Sequence, residues 1–224
     1  MNSLGVKVGG NTSVIDLNTQ TQSWTDNYKL LVGTIVPRPI AFVSTVSAEG
    51  VRNLAAFSFF NGVCPKPFIV SFAPMRRMDG GKKDTVRNIE ETGEFVINVV
   101  SEEMAKPMNS TSPTPEFDPD VDEWVVSGLT PEPSTLVTPS RVAESPVQME
   151  CKLVQVIDFG PAEAGAGSIV LGEVVRMHLR EDVYQNGHVD PDLLRPIARM
   201  AGNDYARVTD RFQMARSKPE EWLK

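Results

Sequence analysis

Two long runs of β-forming residues, Val147–Phe159 and residues 168–179, stand only eight residues apart. The link, Gly160-Pro161-Ala162-Glu163-Ala164-Gly165-Ala166-Gly167, is rich in turn formers. Parallel neighbours need a crossover of about a dozen residues or more, so this pair must close as an antiparallel hairpin. The earlier part of the chain is punctuated in the same way. Pro37 and Pro39 forbid helix and force an extended entry. Residues 40–46 are β-branched and aromatic, and Ala48-Glu49-Gly50 signals a turn. Residues 53–60 give a second strand, which Asn61-Gly62 is expected to break. Pro65-Lys66-Pro67 is a rigid turn before a nearly continuous apolar run at 68–72, read as a strand buried on both faces and ended by Pro74. Residues 94–100 supply another strand, with Phe95, Ile97 and Val99 on one face and Val96 on the other. About six or seven strands with hairpin signals and few helices predict a mainly β chain, an antiparallel barrel rather than repeated βαβ units. No glycine fingerprint of a dinucleotide-binding turn follows any strand.

Short helices are expected at 26–33, with Asp26 as cap and Gly33 as stop, and at 84–92, with Asp84 or Thr85 as cap and Gly93 at the end. A third is expected at 101–110 behind Ser101, and Leu193, Leu194, Ile197 and Met200 in the tail fall at helical spacing. Residues 111–139 are rich in proline, serine and aspartate and carry Trp124. A loop of that length inside a compact domain is read as a lid or a dimer arm, with Trp124 as the aromatic that closes over a bound ring. Strands of similar character on both sides make residues 1–224 one domain, with its core at about 26–205.

A net charge of −7 speaks against nonspecific binding to nucleic acid or an anionic membrane. No apolar run approaches the ~20 residues that span a bilayer. Residues 1–11 lack the basic and apolar regions of a secretory leader, so a cytoplasmic location is the expectation. The two cysteines, Cys64 and Cys151, are read as reduced, mostly buried thiols. With only His178 and His188 to join them, a metal site is not expected. The histidines have no triad partners at usable spacing, and no side chain is assigned a catalytic role. Asp118, Asp120, Asp122 and Glu123 read as a solvated acidic loop.

Three places carry chemistry. At Gly80-Gly81-Lys82-Lys83-Asp84-Thr85 a glycine turn leads into a helix start. Free N–H groups and the positive end of the helix dipole favour an anion there, with Lys82 or Lys83 adding charge and Thr85 a hydroxyl. Ser58, Phe59, Phe60 and Asn61 alternate polar and aromatic groups at a strand end. That suits a flat ring with one hydrogen-bonding edge and one apolar edge. Arg38, between two prolines, is placed for an anionic or ring-edge contact. A flat ring with a phosphate tail describes flavin mononucleotide (FMN).

Taken in order, Pro37-Arg38-Pro39-Ile40-Ala41-Phe42-Val43-Ser44-Thr45, Asn53-Leu54-Ala55-Ala56-Phe57-Ser58-Phe59-Phe60-Asn61-Gly62, Lys83-Asp84-Thr85-Val86-Arg87-Asn88-Ile89 and Thr92-Gly93-Glu94-Phe95-Val96-Ile97-Asn98 resemble the flavin reductase-like, FMN-binding split-barrel family, nearest its flavoredoxin branch. Ile169-Val170-Leu171-Gly172-Glu173-Val174-Val175 and Arg199-Met200-Ala201-Gly202-Asn203-Asp204-Tyr205 are similar to later signatures of that branch. The resemblance implies a six-stranded antiparallel Greek-key split barrel working as a homodimer, with flavin near the dimer interface. It implies a ring held by Ser58, Phe59, Phe60 and Asn61, a phosphate held near Lys83, Asp84 and Thr85, and Arg38 beside the cofactor. It also implies NADH or NADPH as the small-molecule reductant of an FMN oxidoreductase. The alternative is an FMN carrier passing electrons to a redox protein without nicotinamide turnover. One departure stands out. Some reductases of the wider family carry Gly-Asp-His before the strand that here begins at Ser168, where this chain has Gly165-Ala166-Gly167-Ser168.

Overall fold

The computed structural model describes residues 13–112, 121–216 and 218. Ser23 opens the first helix, α1 (Trp24–Thr34), its side chain accepting a hydrogen bond from Asp26 N at 3.1 Å. The cap therefore lies three residues before the expected Asp26, and Asp26 sits in the first turn, where its charge suits the dipole. Gly33 does not stop the helix, which runs one residue further, to Thr34. Strand β1 (Ala41–Val46) and β2 (Arg52–Phe57) form the expected hairpin, with Thr45 opposite Asn53 and Ala41 opposite Phe57. The second strand ends at Phe57, not at Asn61-Gly62. Ser58 and Phe59 make a bend, and β3 (Phe60–Pro65) begins at once and pairs with β4 (Phe68–Phe72). Asn61 and Gly62 lie inside that ladder, opposite Ser71 and Val70, and the register shifts between Gly62 and Cys64. A glycine at a strand bulge has the same local signature as a glycine in a turn. The apolar run of β4 is not buried on both faces throughout: Phe68 is exposed, while Ile69, Val70 and Phe72 are buried.

Helix α2 (Asp84–Thr92) ends at Gly93, which takes the left-handed conformation and returns its N–H to Ile89 O. After β5 (Glu94–Val99), a 3₁₀ turn (Glu102–Met104) runs into α3 (Ala105–Ser110), so the helix expected at 101–110 is real but changes pitch. Of the long loop, residues 113–120 lie outside the described part, and with them Asp118 and Asp120 of the acidic run. The rest holds α4 (Glu123–Ser127) and a two-residue ladder of β6 (Pro131–Glu132) with β7 (Arg141–Val142). The long strands β8 (Val147–Phe159) and β9 (Gly167–Leu179) pair antiparallel along their whole length. In the tail, Pro196 prevents continuation of α5 (Pro191–Leu194). Small ladders flank it, β10 (Tyr184–Gln185) with β11 (His188–Val189) and β12 (Ile197–Arg199) with β13 (Tyr205–Arg207), so the helical spacing of Ile197 and Met200 is not realised.

The main sheet has the order β2-β1-β5-β8-β9-β4-β3, seven strands among the described residues. It is an open antiparallel sheet, the arrangement of a split barrel. The six strands expected become seven because the bend at Ser58–Phe59 divides one long strand in two. Its edge strands, β2 and β3, are neighbours in sequence, joined only by that bend. The chain therefore crosses the split at Ser58 and Phe59.

Both faces of the sheet are covered. Along β1, Ile40 and Phe42 point to a cluster with Leu54, Met104, Met108 and Trp124, while Ala41 and Val43 point to one with Phe57, Phe72, Ile89, Phe95 and Cys151. This is the two-residue period of a strand, apolar on both sides. In the second cluster Phe72 stands 5.2 Å from Phe57 and 5.6 Å from Phe95, centroid to centroid. Gly172 permits this: a Cβ there would lie 2.2 Å from Phe95 Cζ. Burial pushes the Cys151 thiol up, which keeps it inert.

Trp124 is only 3% exposed and belongs to the first cluster, so it does not close over anything. Residues 134–139 are also tied down. Thr135 N and Leu136 N donate to the Glu150 carboxylate at 2.8 and 2.6 Å, Thr138 N donates to Glu94 Oε2 at 2.6 Å, and His178 Nε2 lies 2.5 Å from Glu150 Oε1. The described part of the loop is a strap on the sheet, not a lid.

Candidate functional site

The bend at the split is held by Arg38. The residue is 4% exposed and its guanidinium spends four of its five donors on the fold: Nη1 on Val32 O and Ile35 O, both at 2.7 Å, Nη2 on Met200 O at 2.8 Å, and Nε on Ser58 Oγ at 3.2 Å. It also stands 5.7 Å from the centre of the Phe59 ring. Only a planar fork can meet three carbonyls and a hydroxyl at once. Arg38 is thus a buried residue that holds the fold, not a surface arginine. It fixes α1, the tail and the bend to one another. Because Ser58 Oγ accepts from Arg38, the Ser58 hydroxyl keeps its own hydrogen to donate. Phe59 and Phe60 are half-buried and Asn61 is exposed. As an edge strand, β2 also presents backbone N–H and C=O groups on its outer side.

The start of α2 lies at the far end of β2. Lys83 is the N-cap residue, in extended conformation, and its side chain makes no cap bond. Asp84 and Thr85 then provide N–H groups of the first turn, which a helix leaves without partners of its own. The Thr85 side chain is buried and turned inward, where Asn53 Nδ2 donates to it at 2.9 Å. Asn53 Nδ2 also reaches Thr45 Oγ1 at 3.2 Å, and Asn88 Nδ2 meets the same oxygen at 3.0 Å. This neutral network pins α2 to the β1–β2 hairpin. Asp84 is paired with Arg87 and lies 3.9 Å from Arg77. Lys82 is not a solvated lysine. It bonds Glu90 and, at 3.0 Å, Asp158, and these carboxylates outweigh its desolvation and raise its pKa. Asp158 also accepts from Ser168 Oγ at 2.6 Å, and this hydroxyl with the Lys82 ammonium holds it below the ordinary carboxylate range. The donor set at the α2 start, an uncapped N-terminus of a nine-residue helix set among basic side chains, fits a phosphate. From Asn53 to Ser58, β2 spans about 17 Å.

A cavity of about 650 Å³ opens beside the bend. One wall is α1, through Trp24, Asn27, Tyr28 and Leu31; the other is Phe59, residues 73–75, Phe159 and residues 165–169. The Trp24 ring lies on the bare backbone of Gly165, whose φ is +92° and whose Cβ would meet Trp24 Cγ at 2.7 Å. Backbone bonds zip the two loops of the second wall together: Ser168 N to Pro74 O and Arg76 N to Ala166 O, both 2.9 Å. The sequence reading missed α1 as part of this site. The exposed apolar stripe Trp24, Tyr28 and Leu31, at steps of four and three, was the signal.

A family model for the flavin reductase-like domain matches residues 32–194. The chain belongs to the flavin reductase-like family. Nitrilotriacetate monooxygenase component B from Bacillus cereus is 37% identical, with a TM-score of 0.85 over 91% of this chain and 100% of that one. The 2-nitrobenzoate 2-nitroreductase of Pseudomonas fluorescens is 31% identical, with a TM-score of 0.81 over 92% and 98%. Flavoredoxin of Desulfovibrio vulgaris, at 22% identity, TM-score 0.66 and coverage of 82% and 93%, shares the split-barrel fold. The family and the first two relatives make this chain a flavin-related oxidoreductase.

Proposed function

We propose that the chain binds FMN and is an FMN-dependent oxidoreductase that NADH or NADPH reduces. One observation carries this reading: a single strand, β2, has the Ser58–Asn61 bend at one end and the phosphate-suited start of α2 at the other, the spacing of a ring and the end of its phosphate tail. Lys83 and the N–H groups of Asp84 and Thr85 would hold the phosphate. Ser58, Asn61 and the free edge of β2 would meet the polar edge of the ring, and Phe59 and Phe60 its apolar side. Arg38 positions Ser58 and Phe59 for that contact. Bound flavin supplies the chemistry, two-electron transfer with hydride, and the protein supplies position and shelter from water.

The working unit in this reading is a homodimer. Two open sheet edges and the exposed apolar side chains Val63, Phe68, Val154 and Val175 on β3, β4, β8 and β9 support it. A second reading, an FMN carrier serving a redox protein, draws on Gly165-Ala166-Gly167-Ser168: the run lines the cavity, and no charged side chain stands among the lining residues to meet a dinucleotide's phosphates. A spectrum of the purified protein, followed by anaerobic addition of NADH and NADPH, separates the two. A yellow protein bleached by nicotinamide supports the reductase. Bleaching only by dithionite supports the carrier, and a chain that takes up no FMN overturns both.

A further inference from the structure

We propose that the cavity between α1 and the β8–β9 loop binds an uncharged, planar aromatic compound. Its volume, about 650 Å³, lies in the range of small-molecule sites. Trp24, Tyr28, Phe59 and Phe159 bring four aromatic rings to its walls, so a flat ring finds faces and edges to pack on. Among the described residues no lysine, arginine, histidine, aspartate or glutamate lines it. A carboxylate or phosphate on the ligand would be desolvated there without a counter-ion. Asn27 stands at the wall, but its Nδ2 donates to Thr19 O at 2.8 Å and its Oδ1 is shut off from the cavity, so the walls are apolar there as well. Phe59 belongs to both the cavity and the bend, and its ring is set by Arg38. A compound packed on Phe59 therefore lies beside the proposed flavin ring, as a second substrate. Its role as a substrate rests on the FMN reading; its binding does not.

The test is calorimetric titration of the full-length protein with 1-naphthol, 1-methoxynaphthalene and 1-naphthoate, with and without saturating FMN. We expect 1-naphthol and 1-methoxynaphthalene to bind within about 3-fold of one another, and 1-naphthoate at least ~10-fold more weakly. Tyr28→Ala removes one aromatic wall and Thr34→Phe fills the cavity. Both positions are exposed on α1, and each variant should weaken 1-naphthol at least ~10-fold while keeping the wild-type melting temperature within a few degrees. Binding of 1-naphthol that neither variant changes, or 1-naphthoate binding as tightly, overturns the proposal. So does one-for-one displacement of 1-naphthol by FMN, which would make the cavity the flavin's own ring site. If 1-naphthol binds as expected but FMN does not bind at all, the cavity stands and the FMN reading falls.

Discussion

The two ends of β2 solve the same problem in opposite ways. At the split, one buried cation, Arg38, satisfies three carbonyls and a hydroxyl and leaves an apolar cavity open beside it. At the start of α2, four neutral side chains, Thr45, Asn53, Thr85 and Asn88, satisfy one another and close the interior. The first arrangement concentrates its hydrogen bonds in one residue. The second spreads them, so each member carries less, and the backbone N–H groups of the helix start stay directed outward. The difference separates fold from site: the bend is positioned by a residue that spends four of its five N–H donors on the fold, whereas α2 is anchored through side chains and keeps its main chain for a ligand.

Substitution at Arg38 should break this contrast most severely. Arg38→Leu leaves Val32 O, Ile35 O and Met200 O without donors, at about 1–3 kcal/mol for each group that stays dry. We expect a loss of roughly 3 kcal/mol or more in urea unfolding, with α1 loosened. Arg38→Lys should restore less than half, because a point charge cannot reach all four acceptors. Full recovery by lysine would show that charge, not the fork, holds the bend.

At the other end Asn53→Ala should cost less, about 1–3 kcal/mol, since Thr45 keeps Asn88 as a partner. Freed from Thr85, the first turn of α2 should also lose FMN affinity, by about 10-fold in a fluorescence titration. An equal stability loss with unchanged FMN affinity would separate the network from the phosphate site.

These two residues also mark where sequence reading stops. The limits of β8 and the span of α2 were legible, because β-forming runs, turn formers and glycine stops are local signals, but the cap expected at Asp84 or Thr85 falls on Lys83, whose side chain makes no cap bond. The position of Arg38 between prolines was legible as well, but its partners were not: they are main-chain carbonyls three, six and 162 residues away, and carbonyls are the same in every residue. Trp124 misled for a related reason. A tryptophan in a proline-rich loop looks exposed until the sheet face beneath it, Leu54, Met104 and Met108, is assembled. The bend at Ser58–Phe59 was hidden because Ser58, the one turn former there, stands among the β-forming Phe57, Phe59 and Phe60, while the bulge at Gly62 imitated a turn.

Carboxylates hold the strap at 134–139, whereas the main chain of β2 is met by Glu123, which accepts from Leu54 N at 3.3 Å and whose pKa burial raises. Burial alone would raise the Glu150 pKa, but Thr135 N–H, His178 and Leu136 N–H outweigh it and hold the carboxyl below its ordinary value. A folded pKa below the unfolded one lends stability that is present above the unfolded value and is lost as pH falls through the folded one. The strap should therefore hold until the pH falls below about 4.5, the ordinary value of the carboxyl. Hydrogen exchange is expected to speed up at the amides of Thr135 and Leu136 as pH is lowered from about 4.5 toward 3, after correction for intrinsic rates. Glu150→Gln should make the corrected rates flat over that range. Opening of these two amides already between about pH 6 and 5 would place the acid-sensitive element elsewhere.

The smallest effect should distinguish two adjacent lysines. Lys82 is bound by Glu90 and Asp158, both partly exposed, and such pairs contribute at most about 1 kcal/mol to stability. Its charge is largely cancelled where it stands, so Lys82→Met should leave FMN affinity within about 3-fold and its salt dependence unaltered. Lys83 is the N-cap residue of α2, beside the N–H groups of the first turn, so Lys83→Met should weaken FMN about 10-fold and flatten the salt dependence. Were the two exchanged in effect, the phosphate would lie toward Asp158 and Ser168, on the cavity side, and the two ends of β2 would not be the ring and phosphate ends of one ligand.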